Sequence, residues 1–495
     1  MINKSDKLFD FIQAMTSHER GYFKQSSNKD SYYVILFDAI CRQKEYDEAD
    51  LARQLKKRGC NRKISAMKDY LWRELTQAMA PYHLIKTPLG EAMSKMQSIH
   101  LMHNKELTKH IHKELHALKK FCTKYELYET LLQALQFEFR FGFHQLSLNE
   151  NYWNEFHQTV YANMVYMQLS EIQHRIYLLV LSKQKLHENT REYNEVNKLI
   201  SHHVINDPIL QTSARLRIIK EAIMDLYAHL REDYNGIIEH NMNIVGLLES
   251  KPYLVKDGRE ISLIYTNIVT ALANAGQRKQ LAKVIDGIIE KLKKITHHQT
   301  HSGGHELEIK AIKMLTFHNF EEIDELLGLF QDRYHTMPVS IKHNLYYYFT
   351  IALLKNGDHG KTLDWITEAQ AFYRKHKRTT DVHVYTLKAV HVLIHFELGN
   401  YVYVQNQLDS LLRVYKPEQK EKDINYVVMN HLKKAVKAAD PIKELKKLKE
   451  RLVKEFKNVA DNIYIDMAQW LESIITNKQY HHTSKALAVT ELKKK

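Results

Sequence analysis

The sequence predicts an all-α fold: an α-solenoid of antiparallel helix pairs repeating about every 40 residues, preceded by an N-terminal helical module. Three observations carry that expectation. Chain breakers are scarce, with 15 Gly and 7 Pro in 495 residues. An all-β chain of this length would need many more turn residues. Ala, Leu, Lys, Glu and Gln fill most segments, as helices prefer. Finally, one helix–turn–helix register recurs along the last two-thirds of the chain.

That register is clearest in "FELGNYVYVQNQLDSLL", residues 396–412. Taking Gly399 as the turn position, Gly357, His318, Gly276 and Glu232 occupy the same place upstream, at successive intervals of 42, 39, 42 and 44 residues going back from Gly399. Two residues after the turn come Tyr234, Arg278, Phe320, His359 and Tyr401. Five after come Ile237, Leu281, Ile323, Thr362 and Val404; nine after, Asn241, Ile285, Leu327, Ile366 and Leu408; twelve after, Ile244, Ile288, Phe330, Ala369 and Leu411. Spacings of four and three put these positions on one helix face. Before the turn, Leu272, Met314 and Leu353 share one offset, and Ala273, Leu315, Leu354 and Phe396 the next. Each unit therefore reads as two amphipathic helices around a tight turn. Such a pair cannot bury both apolar faces alone, and stacking neighbours does so.

Residues 1–85 do not follow this register and read as the helical module. Pro81 and Pro88 bracket a break after it. The repeat array is expected over 90–480, and 481–495 form a basic C-terminal tail. Within the array, Asp207-Pro208 and Asp440-Pro441 each supply an N-cap Asp with Pro at the first helical position.

Bulk chemistry narrows the function. Lys and Arg exceed Asp and Glu by a net +14, so nucleic acid, anionic lipid and acidic proteins are all permitted partners. Cys41, Cys60 and Cys122 are odd in number and lack CxxC spacing, so a reducing, cytoplasmic setting is expected. The N-terminus "MINKSDKLFDFIQAM" carries charges through its would-be apolar core and does not read as a signal peptide. The longest apolar runs, such as "IYLLVL" at 176–181, are too short for a transmembrane segment.

Local catalytic motifs are missing. No GxxxxGK[ST], GxGxxG or GxSxG occurs. "HHQTHSGGH" gathers His297, His298, His301 and His305, whose imidazoles could converge on a metal; its glycines suit a solvated inter-helix loop better. "HIHKELH" places His112 and His116 four apart but lacks the HExxH glutamate. No cofactor and no metal is therefore expected.

Two surfaces are candidates for binding macromolecules. Residues 50–75 read as helix, Gly-containing turn and helix, with Arg58, Arg62, Lys63 and Lys68 available to phosphates or bases. The same pattern also describes an ordinary hairpin with a basic turn. The aromatic first helices "IKHNLYYYFTIALL" and "DVHVYTLKAVHVLIHF" offer Lys342, Tyr346, Tyr347, Tyr385, Lys388 and His391 to a peptide in a concave groove. Tyrosines also pack between helices with their hydroxyls at the surface. "PIKELKKLKERLVKEFK", 441–457, has an apolar stripe through Ile442, Leu445, Leu448, Leu452 and Phe456, suited to a terminal helix with a solvated outer face.

The aligned turns, "GNY" at 399–401 and "GDH" at 357–359, together with the apolar residues nine and twelve after them, resemble the tetratricopeptide (TPR) repeat over residues 220–415. The period exceeds that family's 34, and Leu281, Ile323, Thr362 or Val404 stands where its small alanine would be. The opening stretches "LFDFIQAMTSHERGYFK", "LFDAICRQKEYDE" and "MKDYLWRELTQAM" are similar to bacterial helical-repeat proteins that carry no assigned activity. The resemblance implies a non-enzymatic TPR-like scaffold that binds a protein or peptide partner. The alternative is a nucleic-acid-binding regulator using residues 50–75.

Overall fold

The computed structural model describes residues 4–27, 31–43, 46–59, 63–84, 87–143, 150–181, 190–255, 258–296, 303–376, 382–413, 424–455 and 467–476. Among the described residues all regular structure is helical, with no strand. The chain forms two compact units, residues 1–226 with 246–256, and residues 227–245 with 257–495.

The first unit opens with α1 (Lys4–Ala14), α2 (Ser17–Ser26), α3 (Tyr32–Arg42), α4 (Glu48–Lys57) and α5 (Ile64–Leu84). "TSHE" starts α2 with a capping box: Glu19 N–H donates to Thr16 Oγ1 at 3.3 Å, and Thr16 N–H donates to the Glu19 carboxylate at 2.6 Å. Leu8, Ile12, Phe23, Phe37, Ile40, Leu51, Leu71 and Leu75 join these helices in one core. α5 runs through Pro81, so the expected break is narrower and begins only after Leu84. Pro81 removes one backbone donor near the helix end, where little of the helix remains to be disrupted. Next come α6 (Pro88–Asn104), α7 (Thr108–Lys124), α8 (Tyr128–Phe143), α9 (Glu150–Leu181) and α10 (Arg191–Ile200). Ile99, Ile111, Leu118, Leu131 and Leu135 belong to a second core there. Asp207-Pro208 caps a short 3-10 turn, Pro208–Gln211, instead of the α-helix expected at that point. The helix α11 (Ala214–Leu230) starts later, with Ser213 Oγ accepting from Leu216 N–H at 3.1 Å. That start is also held from a distance. The Glu126 carboxylate accepts from the N–H groups of Ala214 at 3.2 Å and Arg215 at 2.9 Å, and from the Tyr253 hydroxyl at 3.3 Å. A carboxylate at a helix N-terminus meets unpaired N–H groups and the positive end of the dipole together.

The second unit takes the end of α11 and most of α12 (Tyr234–Ser250). It continues with α13 (Gly258–Asn274), α14 (Arg278–Thr296), α15 (Gly303–Phe317), α16 (Ile323–Arg333), α17 (Val339–Asn356) and α18 (His359–Lys375). The remaining helices are α19 (Val382–Glu397), α20 (Tyr401–Leu412), α21 (Ile424–Lys437), α22 (Pro441–Glu455) and α23 (Met467–Ile475). Each odd-numbered helix from α13 to α21 packs against the helix that follows it. The odd-numbered helices also pack on one another, α13 on α15, α15 on α17, α17 on α19 and α19 on α21. The offsets read from the sequence face the core. Ile237, Leu281, Ile323, Thr362 and Val404 are all buried, as are Ile285, Phe330, Ile366 and Leu408, while Leu327 is half-buried. Asp440 caps α22 through Lys443 N–H at 3.1 Å, and Leu445, Leu448 and Leu452 form its buried stripe. The tail 481–495 lies outside the described residues.

The turns share one geometry. Glu232, Gly276, His318, Gly357 and Gly399 all take positive φ, between 53° and 80°. So do Glu106 and Glu126 in the first unit, at 59° and 52°. The following residue then donates back to the sixth-last position. Asp233 reaches Ala228 O at 2.9 Å, Gln277 Leu272 O at 3.0 Å, Asn319 Met314 O at 3.2 Å, Asp358 Leu353 O at 3.2 Å and Asn400 His395 O at 2.9 Å. Leu107 and Leu127 repeat the bond to Met102 O and Cys122 O, both at 2.9 Å. This is the Schellman closure, which satisfies carbonyls left open at a helix end. Glycine adopts it freely, whereas a residue with a Cβ loses roughly 1–2 kcal/mol there.

His318 accepts that conformation while buried. Burial, then the nearby Lys355 and Arg278 charges, push its imidazole down to about 3, so it stays neutral in the fold. In the unfolded chain it protonates near pH 6.5. The unfolded state therefore gains the proton first as pH falls, and this part of the stability is present above about pH 6.5 and lost progressively toward pH 3. The loss at pH 5 is about 2 kcal/mol relative to pH 7.5. His318→Asn keeps a residue tolerant of the left-handed conformation and removes the titration. Urea unfolding at the two pH values should show a decline smaller by about that amount in the variant; an equal decline would refute the assignment.

Candidate binding cleft

A cleft of about 310 Å³ opens on the second unit, on the side formed by its first helices. Thr266, Asn267, Thr270 and Asn274 come from α13, His305 and Glu308 from α15, and Ser340, Ile341, Asn344 and Tyr348 from α17. Leu263 and Ala271 of α13 also line it, and His229, Tyr234 and Ile237 complete it from the end of α11 and the start of α12. The α13 residues recur at spacings of three and four within "TNIVTALAN", which places them along one helix face.

Gly304 sets the approach of α15 to α17. A Cβ there would lie 3.1 Å from two Ile341 side-chain atoms and 3.3 Å from Met337 Cγ. Its absence lets the two helix starts close together, one turn before Glu308 meets Asn344.

Polar groups on the floor form a connected chain. The Thr266 hydroxyl donates to Ser262 O at 3.0 Å, so its lone pairs remain for the imidazole of His305, whose Nδ1 is 3.3 Å away. That assignment puts the Nδ1 proton between Thr266 Oγ1 and Glu308 Oε2, the latter also 3.3 Å away. Asn344 Nδ2 donates to the other Glu308 oxygen at 2.7 Å. Glu308 itself is only 2% exposed. Asn and Thr side chains can both donate and accept, which matches the alternating donors and acceptors of a peptide main chain.

The groove residues expected from sequence are placed differently. Tyr346 is 1% exposed, donates its hydroxyl to Glu368 at 2.8 Å, and packs against Phe330, Trp365 and Phe372. Tyr347 is also buried. Neither is presented to a partner in this conformation, which corrects their reading as surface anchors. Lys342 lies half-buried with its Nζ 4.2 Å from the Tyr334 ring centre, and burial, then Lys375, lowers its pKa. The reason is rotational. Lys342 and Tyr346 stand two residues from Asn344 and Tyr348, about 200° around the helix from the cleft face. On α19, Lys388 is exposed, His391 has Nδ1 3.1 Å from the Tyr403 hydroxyl, and the Tyr385 side chain lies outside the described residues. None of the three lines the cleft.

In the basic segment, Arg58 and Lys63 are exposed and Arg62 lies outside the described residues. Lys68 corrects the expectation: it is 8% exposed and donates to the Tyr46 hydroxyl and the Glu48 carboxylate. It is a cross-link between α5 and the start of α4. Lys56 and Lys57 sit in the last turn of α4, where positive charge complements the helix dipole. Of the histidine loop, 297, 298 and 301 lie outside the described residues. Gly303, Gly304 and His305 are not loop but the first turn of α15. Among the described residues no three His, Cys, Asp or Glu side chains converge as a metal-binding group, and no helix is long and apolar enough to cross a membrane.

Comparison with protein-family models, curated proteins and solved structures returned no match.

The floor is mechanically as well as chemically coupled. Asn344→Ala removes the neutral donor from a buried carboxylate, and a stability loss of about 1–3 kcal/mol follows. Asn344→Asp should be at least as damaging, because it opposes two carboxylates at hydrogen-bond distance. Chemical denaturation of both variants checks this; wild-type stability in either would mean the 2.7 Å bond does not hold the floor.

Proposed function

We propose that this protein is a non-enzymatic, TPR-like scaffold that holds an extended peptide segment of a protein partner in the cleft of its second unit. The single observation behind this reading is the cleft itself, where side-chain amides and hydroxyls of α13 and α17 converge with the His305 imidazole and Glu308 carboxylate of α15. An extended peptide leaves its main-chain donors and acceptors unpaired, and fixed Asn and Thr side chains can engage them at low entropic cost. The succession of α13, α15, α17 and α19 against one another supports reading the pairs as a stacked, solenoid-like array. We also place the protein in a reducing, cytoplasmic setting, in keeping with the free Cys41 and Cys122. The nucleic-acid reading is less well supported, because Lys68 is committed to Glu48.

The test is selection of a random dodecapeptide library against the full-length chain, followed by affinity measurement on synthetic copies of enriched peptides. Thr270→Tyr narrows the cleft from a half-exposed position. Affinity should fall at least about tenfold in that variant with an unchanged melting profile, a loss of about 1.4 kcal/mol. Enriched peptides that bind the variant as well as wild type would place the site elsewhere.

A further inference from the structure

We infer that the cleft selects a cationic group, and that the bound peptide seats a lysine or arginine side chain on Glu308. This rests on the reading of the cleft as a peptide site. Two buried carboxylates on the same helix differ in their partners. Glu306 is neutralised within the fold, by Lys310 at 3.1 Å and Arg333 at 3.6 Å. Glu308, two residues on and turned toward the cleft, has no such cation among the described residues. Its partners are the neutral Asn344 amide and the His305 imidazole.

Enclosing a carboxylate without a lysine or arginine beside it is costly, and a ligand that brings a cation offsets that cost. An ammonium or guanidinium group entering the cleft would supply that cation through a charge-assisted hydrogen bond. Tyr234, half-buried, adds aromatic surface to the wall, a lining that favours cations. A peptide carboxylate would instead meet Glu308 as a like charge, which costs affinity. The cleft thus has the opposite preference to the basic chain as a whole, whose net charge is +14.

The experiment uses the full-length protein and the dodecapeptides enriched in the selection above. For each, the basic residue is replaced in turn by norleucine and by glutamate, and affinities are measured on wild type and on Glu308→Gln. Gln retains an acceptor for Asn344 while removing the charge. Norleucine should weaken wild-type binding at least about tenfold and glutamate more, and the lysine–norleucine gap should close on Glu308→Gln. The wild-type series needs no variant, so a misfolded Glu308→Gln would leave the inference exposed to test. Putrescine, a free diamine, is titrated alongside; displacement of every peptide by putrescine at equal affinity would make the ligand a free amine and overturn the peptide assignment. Enriched peptides without Lys or Arg, or indifferent to norleucine, would overturn the cation preference. If those same peptides still lost affinity on Thr270→Tyr, the peptide cleft would stand. Indifference to Thr270→Tyr would instead remove the cleft itself.

Discussion

At the end of one first helix after another, a residue turns left-handed and the next amide donates back across the helix end. Gly276, Gly357 and Gly399 do this with no side chain to strain, and Glu232 and His318 do it with one. The closure fixes where the first helix stops and at what angle the second leaves. Everything downstream in each pair inherits that angle. Second helices begin at Tyr234, Arg278, His359 and Tyr401, two residues past the turn, and their apolar face then meets the core at the following offsets. In the first unit, Glu126 occupies the same conformation, and its carboxylate ties the turn to the start of α11. The non-glycine residue there has a use for its side chain that offsets the backbone strain.

With the pairs fixed in this way, the opposite side of the first helices is left to chemistry. On α13, α15 and α17 that side carries, among apolar residues such as Leu263 and Ile341, Thr, Asn, Glu and His. Such groups are costly to enclose unless hydrogen-bonded, and Thr266, His305, Glu308 and Asn344 satisfy one another across three helices. The result is a cleft whose floor is held in place by its own hydrogen bonds. Glu308 gives that floor a sign.

Much of this architecture was legible because the turn chemistry and the apolar period agree. The glycines announce the left-handed positions, and Leu281, Val404, Ile366 and Leu408 lie on the buried face that their spacing implies. The cleft was less legible, for a rotational reason. Along α17 the tyrosines attract attention, yet Tyr346 lies on the core face and Asn344, two residues away, on the open one. The useful signal was the run of small polar residues inside the otherwise apolar α13, Thr266, Asn267, Thr270 and Asn274. Lys68 was misread because it follows the exposed Arg58 and Lys63 in one basic segment, whereas its partners, Tyr46 and Glu48, lie some 20 residues upstream. Gly303 to His305 read as loop because two glycines disfavour helix, while Gly304 is there to admit Ile341.

The most direct measurement of the account is residue-resolved amide hydrogen exchange at the seven amides that close the turns, those of Leu107, Leu127, Asp233, Gln277, Asn319, Asp358 and Asn400. Each is predicted to exchange slowly, on the scale of interior amides of the helix it closes, because its hydrogen bond opens only when that helix end unravels. Exchange at the rate of open loop amides across these positions would contradict the account, since the repeated closure would then not be what spaces the helices.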